Sequence, residues 1–341
     1  MPFLGSAHGA VSYGRARRGA SWVNGGVVTT LAGSGSASFA DGTGTNASFN
    51  SPWGLAVLPN NNIVVGDSAN NRIRIVTYPG GVVTTLAGGS FGDNDGTGTN
   101  AGFKAPQRVA VLQDGNIAVV DYLNNSIRIV TYPGGVVSTL TGTIGVAYWN
   151  AVAVLSNGNL IVTDGSQPHI RLVTYPGGVT TVLAGNYTSG FADGTGTTAI
   201  FQGPSGVAVL LDGKIVVADG SRIRIITTST YAANSGVVTT LAGSGTYTYA
   251  DGTGTNASFN NATGVAVLSN GNIIVTERSS PRVRLVTYPG GVVTTIAGSG
   301  TPTFANGTGS DASFGNLYGV GVLSNSTIVV ADVTGRIRLI T

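Results

Sequence analysis

The sequence predicts an all-β fold, a closed ring of six four-stranded blades called a β-propeller. The chain of 341 residues has 54 glycines and only 9% charged residues, yet 42% of it is hydrophobic. The string Gly-Val-Val-Thr-Thr-Leu-Ala-Gly at 26–33 returns five more times with small variations. Between these markers, each unit shows four short apolar segments separated by turn-forming residues, which is typical of propeller blades.

The composition excludes several other classes of protein. Disordered chains combine low hydrophobicity with high charge, the opposite of this chain. One glutamate and two lysines are too few for a coiled coil, and the glycines lack the three-residue period of collagen. No run approaches about 18 apolar residues, so no membrane-spanning helix is predicted. The absence of cysteine excludes disulfides, thiolate metal sites and thiol nucleophiles.

The first unit shows how each blade is assembled. Residues 54–58 are small and apolar on both faces, as expected for a strand beside the ring axis. A turn rich in asparagine leads into the second strand at 63–66. The third, at 72–77, alternates arginine with β-branched residues. Tyr-Pro-Gly-Gly at 78–81 then predicts a turn before the marker string, which forms the fourth strand.

The two ends of the repeat region predict how the ring closes. The repeats begin on a fourth strand and stop at 336–341, which is a third strand. Residues 27–32 should therefore complete the blade begun by 319–341, so that only short edges stay exposed. The composition does not change within 26–341, so this region is predicted to be one domain that follows an arm at 1–25.

These motifs resemble the NHL-repeat family of six-bladed propellers. The resemblance rests on the Gly-Val-Ala-Val-Leu strand, Val-Ala-Asp, Arg-Ile-Arg and the closing Val-Thr-Thr-Leu-Ala-Gly, and it covers 26–341. It implies the same fold. The family includes RNA-binding, protein-binding and a few lyase-like members, so the resemblance does not select a function.

Most charged residues belong to the repeat. An acid ends the second strand of every unit, and arginines such as Arg72 and Arg74 occupy the third. We expect each acid to pair with the arginine at the start of the neighbouring strand. A catalytic ring is the alternative, but catalytic carboxylates need unlike environments, which repeats do not supply. The six acids are Asp67, Asp121, Asp164, Asp219, Glu277 and Asp332.

The long connections between blades are predicted to be ordered loops held by pairs of aromatic residues, the first being Phe39 and Phe49. Residues 93–98 resemble the start of a calcium loop, but no acid follows in register. No metal is therefore predicted there. The third unit lacks the insertion, which predicts a notch on the loop face beside blade 3.

Catalytic and metal-binding patterns are missing from the sequence. His8 and His169 are the only histidines, too few for a zinc site, and neither forms part of an activated-serine pattern. Lactonases and lyases of this architecture use acids or histidines at the channel, whereas the inner strands here carry neither. The sequence therefore predicts a protein that is not an enzyme, with no catalytic residue, metal or cofactor.

One set of positions differs from blade to blade, directly before each inner strand. It should ring the channel mouth on the loop face, where aromatic residues and arginine often dominate binding. Sequence drift at a permissive rim is the alternative. The positions are Trp53, Gln107, Asn150, Ser205, Thr263 and Tyr318, with Trp149 before Asn150 and Arg108 in place of the usual glycine.

The arm is the second candidate for binding. Arg15, Arg17 and Arg18 account for the formal net charge of +3, because the rest of the chain is balanced. A neutral body does not favour nucleic acid as a partner. Residues 1–10 lack the pattern of a signal peptide. The arm is predicted to attach the protein to other proteins through these arginines and through Phe3, Tyr13 and Trp22.

Three hypotheses for the function follow from these observations. The first is a structural or protein-binding propeller, such as a component of a virion or other large assembly, attached through the arm. The second is a carbohydrate- or peptide-binding propeller that uses the aromatic residues of the channel mouth. The third is a propeller lyase or lactonase. The localisation is not predicted beyond the suspected exterior assembly.

Overall fold

The described residues of the computed structural model, 25–141 and 149–341, form six antiparallel sheets arranged as blades around a channel. The inner strands of successive blades contact each other, and the sixth contacts the first, so the ring is closed. The predicted six-bladed propeller is confirmed. No helix in these two ranges is long and apolar enough to cross a membrane.

Each blade runs from an inner strand at the channel to an outer strand at the periphery. From the inner to the outer strand, blade 1 consists of Pro52–Val57, Ile63–Asp67, Arg72–Val76 and Val82–Gly88. Blade 2 consists of Pro106–Val111, Ile117–Asp121, Ser126–Val130 and Val136–Thr141. Blade 3 consists of Trp149–Val154, Leu160–Asp164, His169–Val173 and Thr180–Gly185. Blade 4 consists of Pro204–Val209, Ile215–Asp219, Arg222–Thr227 and Val237–Ala242. Blade 5 consists of Ala262–Val267, Ile273–Glu277, Arg282–Val286 and Val292–Ala297. Blade 6 consists of Leu317–Val322, Ile328–Asp332, Arg336–Ile340 and Val27–Ala32.

The predicted closing strand is confirmed. Val27–Ala32 forms the outer strand of blade 6, with Val28 opposite Ile340 and Ala32 opposite Ile337. The ring is thus closed by main-chain hydrogen bonds between the two ends of the repeat region.

The core consists of six apolar clusters, each between two neighbouring blades. In the cluster between blades 6 and 1, Leu55 and Val65 pack with Val329. Every residue of the second strand Ile63–Asp67 is buried, because sheets cover it on both faces. This explains why the second strands are uninterrupted apolar runs that end in one acid.

The long loops add a short fifth strand to five of the blades. Gly42–Thr43 pairs with the start of the outer strand of blade 1. Equivalent two-residue strands occur at Gly96–Thr97, Gly194–Thr195, Gly252–Thr253 and Gly307–Thr308, with 3-10 turns directly after them at Gly44–Asn46, Gly98–Asn100, Gly196–Thr198, Gly254–Asn256 and Gly309–Asp311. Further 3-10 turns lie at Ser68–Asn70 and Tyr122–Asn124, and Ser90–Phe91 pairs with Gly102–Phe103. Blade 3 has four strands within the described ranges, and the predicted notch beside it falls on residues 142–148, outside them.

The predicted aromatic anchors divide into two kinds. The second member of each pair is fully buried, as for Phe49. The first member is exposed, 43% for Phe39, and the ring of Phe39 lies 3.8 Å from the guanidinium of Arg72 rather than packing in the core. In blade 2 the corresponding Phe91 has Lys104 over its ring instead. The buried set is Phe49, Phe103, Phe201, Phe259 and Phe314.

The predicted pairing of acids with arginines was wrong by two residues. Asp67 lies opposite Arg72 in the ladder, but Asp67 Oδ2 accepts its hydrogen bond from Arg74, at 2.6 Å. Arg72 instead points outward and lies over the ring of Phe39. The Arg74 guanidinium also pairs with Asp41 in the loop, at 2.6 Å. Arg74 therefore links the third strand to the second strand and to the loop above them.

This network recurs with small changes around the ring. Arg128, Arg224 and Arg284 each pair with one strand acid and one loop aspartate. Arg338 has Asn306 in the loop position, and Arg171 bonds Gln167. All six strand acids thus form ion pairs with arginines of the third strands.

Glu277 is the one glutamate among these acids, and its environment predicts a pH effect. Burial raises the pKa of Glu277 from 4.5 to about 7, although Arg284 acts in the opposite direction. Its Oε2 has no hydrogen-bond partner among the described residues. Between these two values the folded state holds a proton that the unfolded chain has released, so stability should fall as the pH rises from 4.5 to about 7.

The measurement is urea denaturation across this pH range for the wild type and for Glu277→Gln, which cannot titrate. The free energy of unfolding of the wild type relative to Glu277→Gln should decrease as the pH rises to about 7 and then level off. A difference that is independent of pH would contradict the raised pKa.

Candidate functional site at the channel mouth

Local irregularities in the inner strands create the mouth of the channel. In all six blades the pairing of the inner strand with the second strand shifts register near its start, for example between Pro52 and Leu55. Such bulges redirect side chains away from the regular alternation. Trp53 lies within the bulge of blade 1, and the other variable positions occupy equivalent places.

The predicted positions come together around one cavity of about 170 Å³. Its lining includes two residues that the sequence analysis missed, Asn261 and Arg278. Arg278 had a usable signal, because only in that unit does an arginine follow the acid of the second strand; Asn261 had none. The complete lining is Trp53, Gln107, Arg108, Asn150, Ser205, Asn261, Thr263, Arg278 and Tyr318.

Trp149, the remaining candidate, is described only by its backbone, which begins the inner strand of blade 3 and lies opposite Asp164. The side chain of Asn150, the next residue, donates a hydrogen bond to the Pro204 carbonyl at 3.1 Å. This bond links the rim of blade 3 to that of blade 4.

Arg108 spans the channel. It occupies the position that Gly54 holds in blade 1. An added Cβ at Gly54 would lie 2.3 Å from the Gln107 carbonyl oxygen, so blade 1 has no room for a side chain at this position. From blade 2, its Nη1 donates to the Tyr318 carbonyl at 2.8 Å and its Nη2 to the Thr263 carbonyl at 2.9 Å. The side chain thereby crosses to blades 5 and 6 and lies between the mouth cavity and the channel beneath.

An aromatic wall forms one side of the cavity. The rings of Trp53 and Tyr318 stack with centroids 3.7 Å apart and an interplanar angle of 27°. The guanidinium of Arg278 lies 5.3 Å from the centroid of the Tyr318 ring. Tyr318 is 5% exposed, whereas Trp53 is only partly buried, so Trp53 offers the accessible apolar surface of the wall.

The cavity is electropositive. Arg108 and Arg278 line it, and no carboxylate does. Neither arginine forms an ion pair with any residue in 25–141 or 149–341. Burial lowers the pKa of Arg108 to about 10, which still leaves the guanidinium charged at neutral pH. Burial also raises the pKa of Tyr318, while the charges of Arg278 and Arg108 oppose that rise.

The channel below Arg108 is lined almost entirely by apolar residues. Its cavity of about 350 Å³ is lined by aliphatic residues of the inner strands, glycine and Arg108. No cluster of three potential metal ligands occurs within the described ranges. His169 begins the third strand of blade 3, is 2% exposed and contacts Tyr187 edge-on, so it lies outside the channel lining.

The arm residues Phe3, Tyr13, Arg15, Arg17, Arg18 and Trp22 all lie outside the described residues. Their predicted role in binding other proteins stays a prediction. The mouth of the channel is therefore the candidate site for which the structure provides geometry.

Comparison with known proteins supports the fold assignment. The NHL repeat family model matches residues 49–76, which contain the first three strands of blade 1. NHL repeat-containing protein 2 of Bos taurus is 32% identical over 116 residues, a match that spans 31% of this chain and only 15% of that protein.

Two solved structures show the same architecture. An auxiliary nutrient binding protein from Bacteroides thetaiotaomicron superposes with a TM-score of 0.72 at 16% identity, covering 93% of this chain and 76% of its own. A gluconolactonase from Xanthomonas campestris superposes with a TM-score of 0.59 at 12% identity, covering 86% and 87%. At such identities the likeness shows the fold alone. Together with the repeat match in blade 1, it shows a six-bladed β-propeller that is similar to NHL-repeat proteins.

Proposed function

We propose that this protein is a ligand-binding propeller that holds a small carbohydrate or peptide group at the channel mouth. The observation that carries the proposal is the cavity of about 170 Å³, in which side chains that differ from blade to blade replace the repeated pattern. Its aromatic wall and its uncompensated arginines combine an apolar surface with directional hydrogen-bond donors. This is the usual composition of a small-ligand site.

The two other hypotheses have less support. A propeller enzyme of the metal-dependent kind needs acids or histidines around the channel, and the lining here consists of aliphatic residues, glycine and Arg108. Attachment through the arm depends on residues outside the described ranges. The virion hypothesis gains no support from the nutrient binding protein or the gluconolactonase, whose names indicate a ligand and an activity.

The proposal is tested by nuclear magnetic resonance of the isotope-labelled protein with a panel of monosaccharides and dipeptides. Binding at the mouth should shift the indole N–H signal of Trp53, which is assigned by its loss in Trp53→Phe. Trp53→Ala should weaken binding roughly tenfold, the scale of a hot-spot truncation. Phe91→Ala is the matched control, since Phe91 is an exposed aromatic residue of a peripheral loop.

Binding that is unaffected by Trp53→Ala, or signals that shift only far from the mouth, would contradict this function. Absence of binding across the whole panel would also contradict it and would favour attachment through the arm instead.

A further inference from the structure

The most unusual group in the molecule is the guanidinium of Arg108. The described arginines that are buried number seven, and the other six each form an ion pair with a strand acid. Arg108 is 9% exposed and has only two carbonyl oxygens as partners. Burying a charge without a counterion is costly. The fold therefore maintains a charged group for which its own described residues supply no anion.

A purely structural role does not account for Arg108. Its two carbonyl acceptors already have other donors: the Thr263 carbonyl accepts from Ser205 Oγ at 3.0 Å, and the Tyr318 carbonyl accepts from Thr276 Oγ1 at 3.2 Å. The arginine is thus not required to satisfy them. Blades 4, 5 and 6 carry glycine at the equivalent position and form the same bulge.

Arg108 lines both cavities, and its two carbonyl partners do not use all of its donors. A guanidinium carries five N–H groups in a rigid fork, and the carbonyls engage one on each Nη. Its Nε has no partner among the described residues. Arg278, exposed on the other side of the mouth cavity, adds a second guanidinium without a carboxylate partner there. Two such groups around one small cavity form a site for a carboxylate, which guanidinium recognises through paired hydrogen bonds.

We propose that the mouth binds its ligand through a carboxylate held by Arg108 and Arg278, with the remainder of the ligand against Trp53. This inference rests on the proposed function and specifies its ligand class as small organic acids. The cavity volume of about 170 Å³ suits a single sugar acid or the carboxyl-terminal residue of a peptide. Both offer the same carboxylate chemistry, and matched probes distinguish them.

The experiment uses two pairs of probes that differ in the acid group. D-glucuronate is compared with D-glucose, and N-acetylalanine with N-acetylalaninamide, by resonance titration of the full chain at low salt. The acid of at least one pair should bind at least about tenfold more tightly than its neutral partner, as expected for a charge-assisted contact. The pair that shows this preference identifies the source of the carboxylate. Added salt should weaken the binding of the acid more than that of the neutral compound.

Arg108→Gln should reduce the preference for the acid to about twofold or less, and Arg278→Gln should reduce it partially, because exposed pairs are weaker. Arg72→Gln is the matched control, since Arg72 lies outside the cavity lining. If Arg108→Gln fails to fold, Arg278→Gln and the salt dependence of the wild type still decide the matter.

The outcomes separate the two proposals. Equal binding of acid and neutral probes would overturn the carboxylate site and leave the ligand-binding function standing. Failure of both acids to bind would overturn the carboxylate site as well, and binding of inorganic phosphate alone would replace the ligand class. The proposed function itself would be contradicted only if the sugars and dipeptides also failed to bind.

Discussion

Deleting residues 1–33 should open the ring, lower the melting temperature sharply and cause aggregation. The deletion removes the whole outer strand of blade 6 and exposes the edge of Arg336–Ile340, where Ile337 and Ile340 are fully buried. Burial of Val28 alone contributes about 2 kcal/mol, and each lost ladder hydrogen bond adds about 1 kcal/mol. Exposed strand edges also promote association between chains. Circular dichroism melting and light scattering measure both effects.

Deleting residues 1–24 is the matched control. It retains the closing strand, so the melting temperature should stay nearly unchanged. If the two deletions behaved alike, ring closure by Val27–Ala32 would not be the source of the stability.

Replacing Arg74 with methionine should lower the free energy of unfolding by about 3–5 kcal/mol, because Asp67 would remain buried without its counterion. Arg74 also donates to Asp41 and to the carbonyls of Ala40 and Ser48, so the loop should loosen as well. Urea denaturation measures the loss, and faster proteolysis within 34–50 would report the loop.

Arg72→Met is the control for the loss of an arginine side chain from the same strand. Arg72 stacks on Phe39 and donates one hydrogen bond to the Asn70 carbonyl, so about 1 kcal/mol should be lost. A larger loss for Arg72 than for Arg74 would restore the pairing expected from the sequence.

The repeat made the architecture predictable. Strand order, blade number and the closing strand depend on periodicities within a few residues and on the positions of the marker string, all of which are visible along the chain. The buried phenylalanine of each loop, such as Phe49, could be identified for the same reason. The variable positions at the mouth were also found from the sequence, as departures from a template.

Contacts between distant residues were decided by the tertiary structure. The ladder places Arg72 opposite Asp67. Arg72 nevertheless stacks on Phe39, and Arg74 forms the ion pairs with Asp67 and with Asp41 in the loop. Arg108 likewise meets carbonyls 155 and 210 residues away only because the ring brings opposite blades to one axis. The direction of a long side chain depends on bulges and ring curvature, which local sequence patterns do not encode.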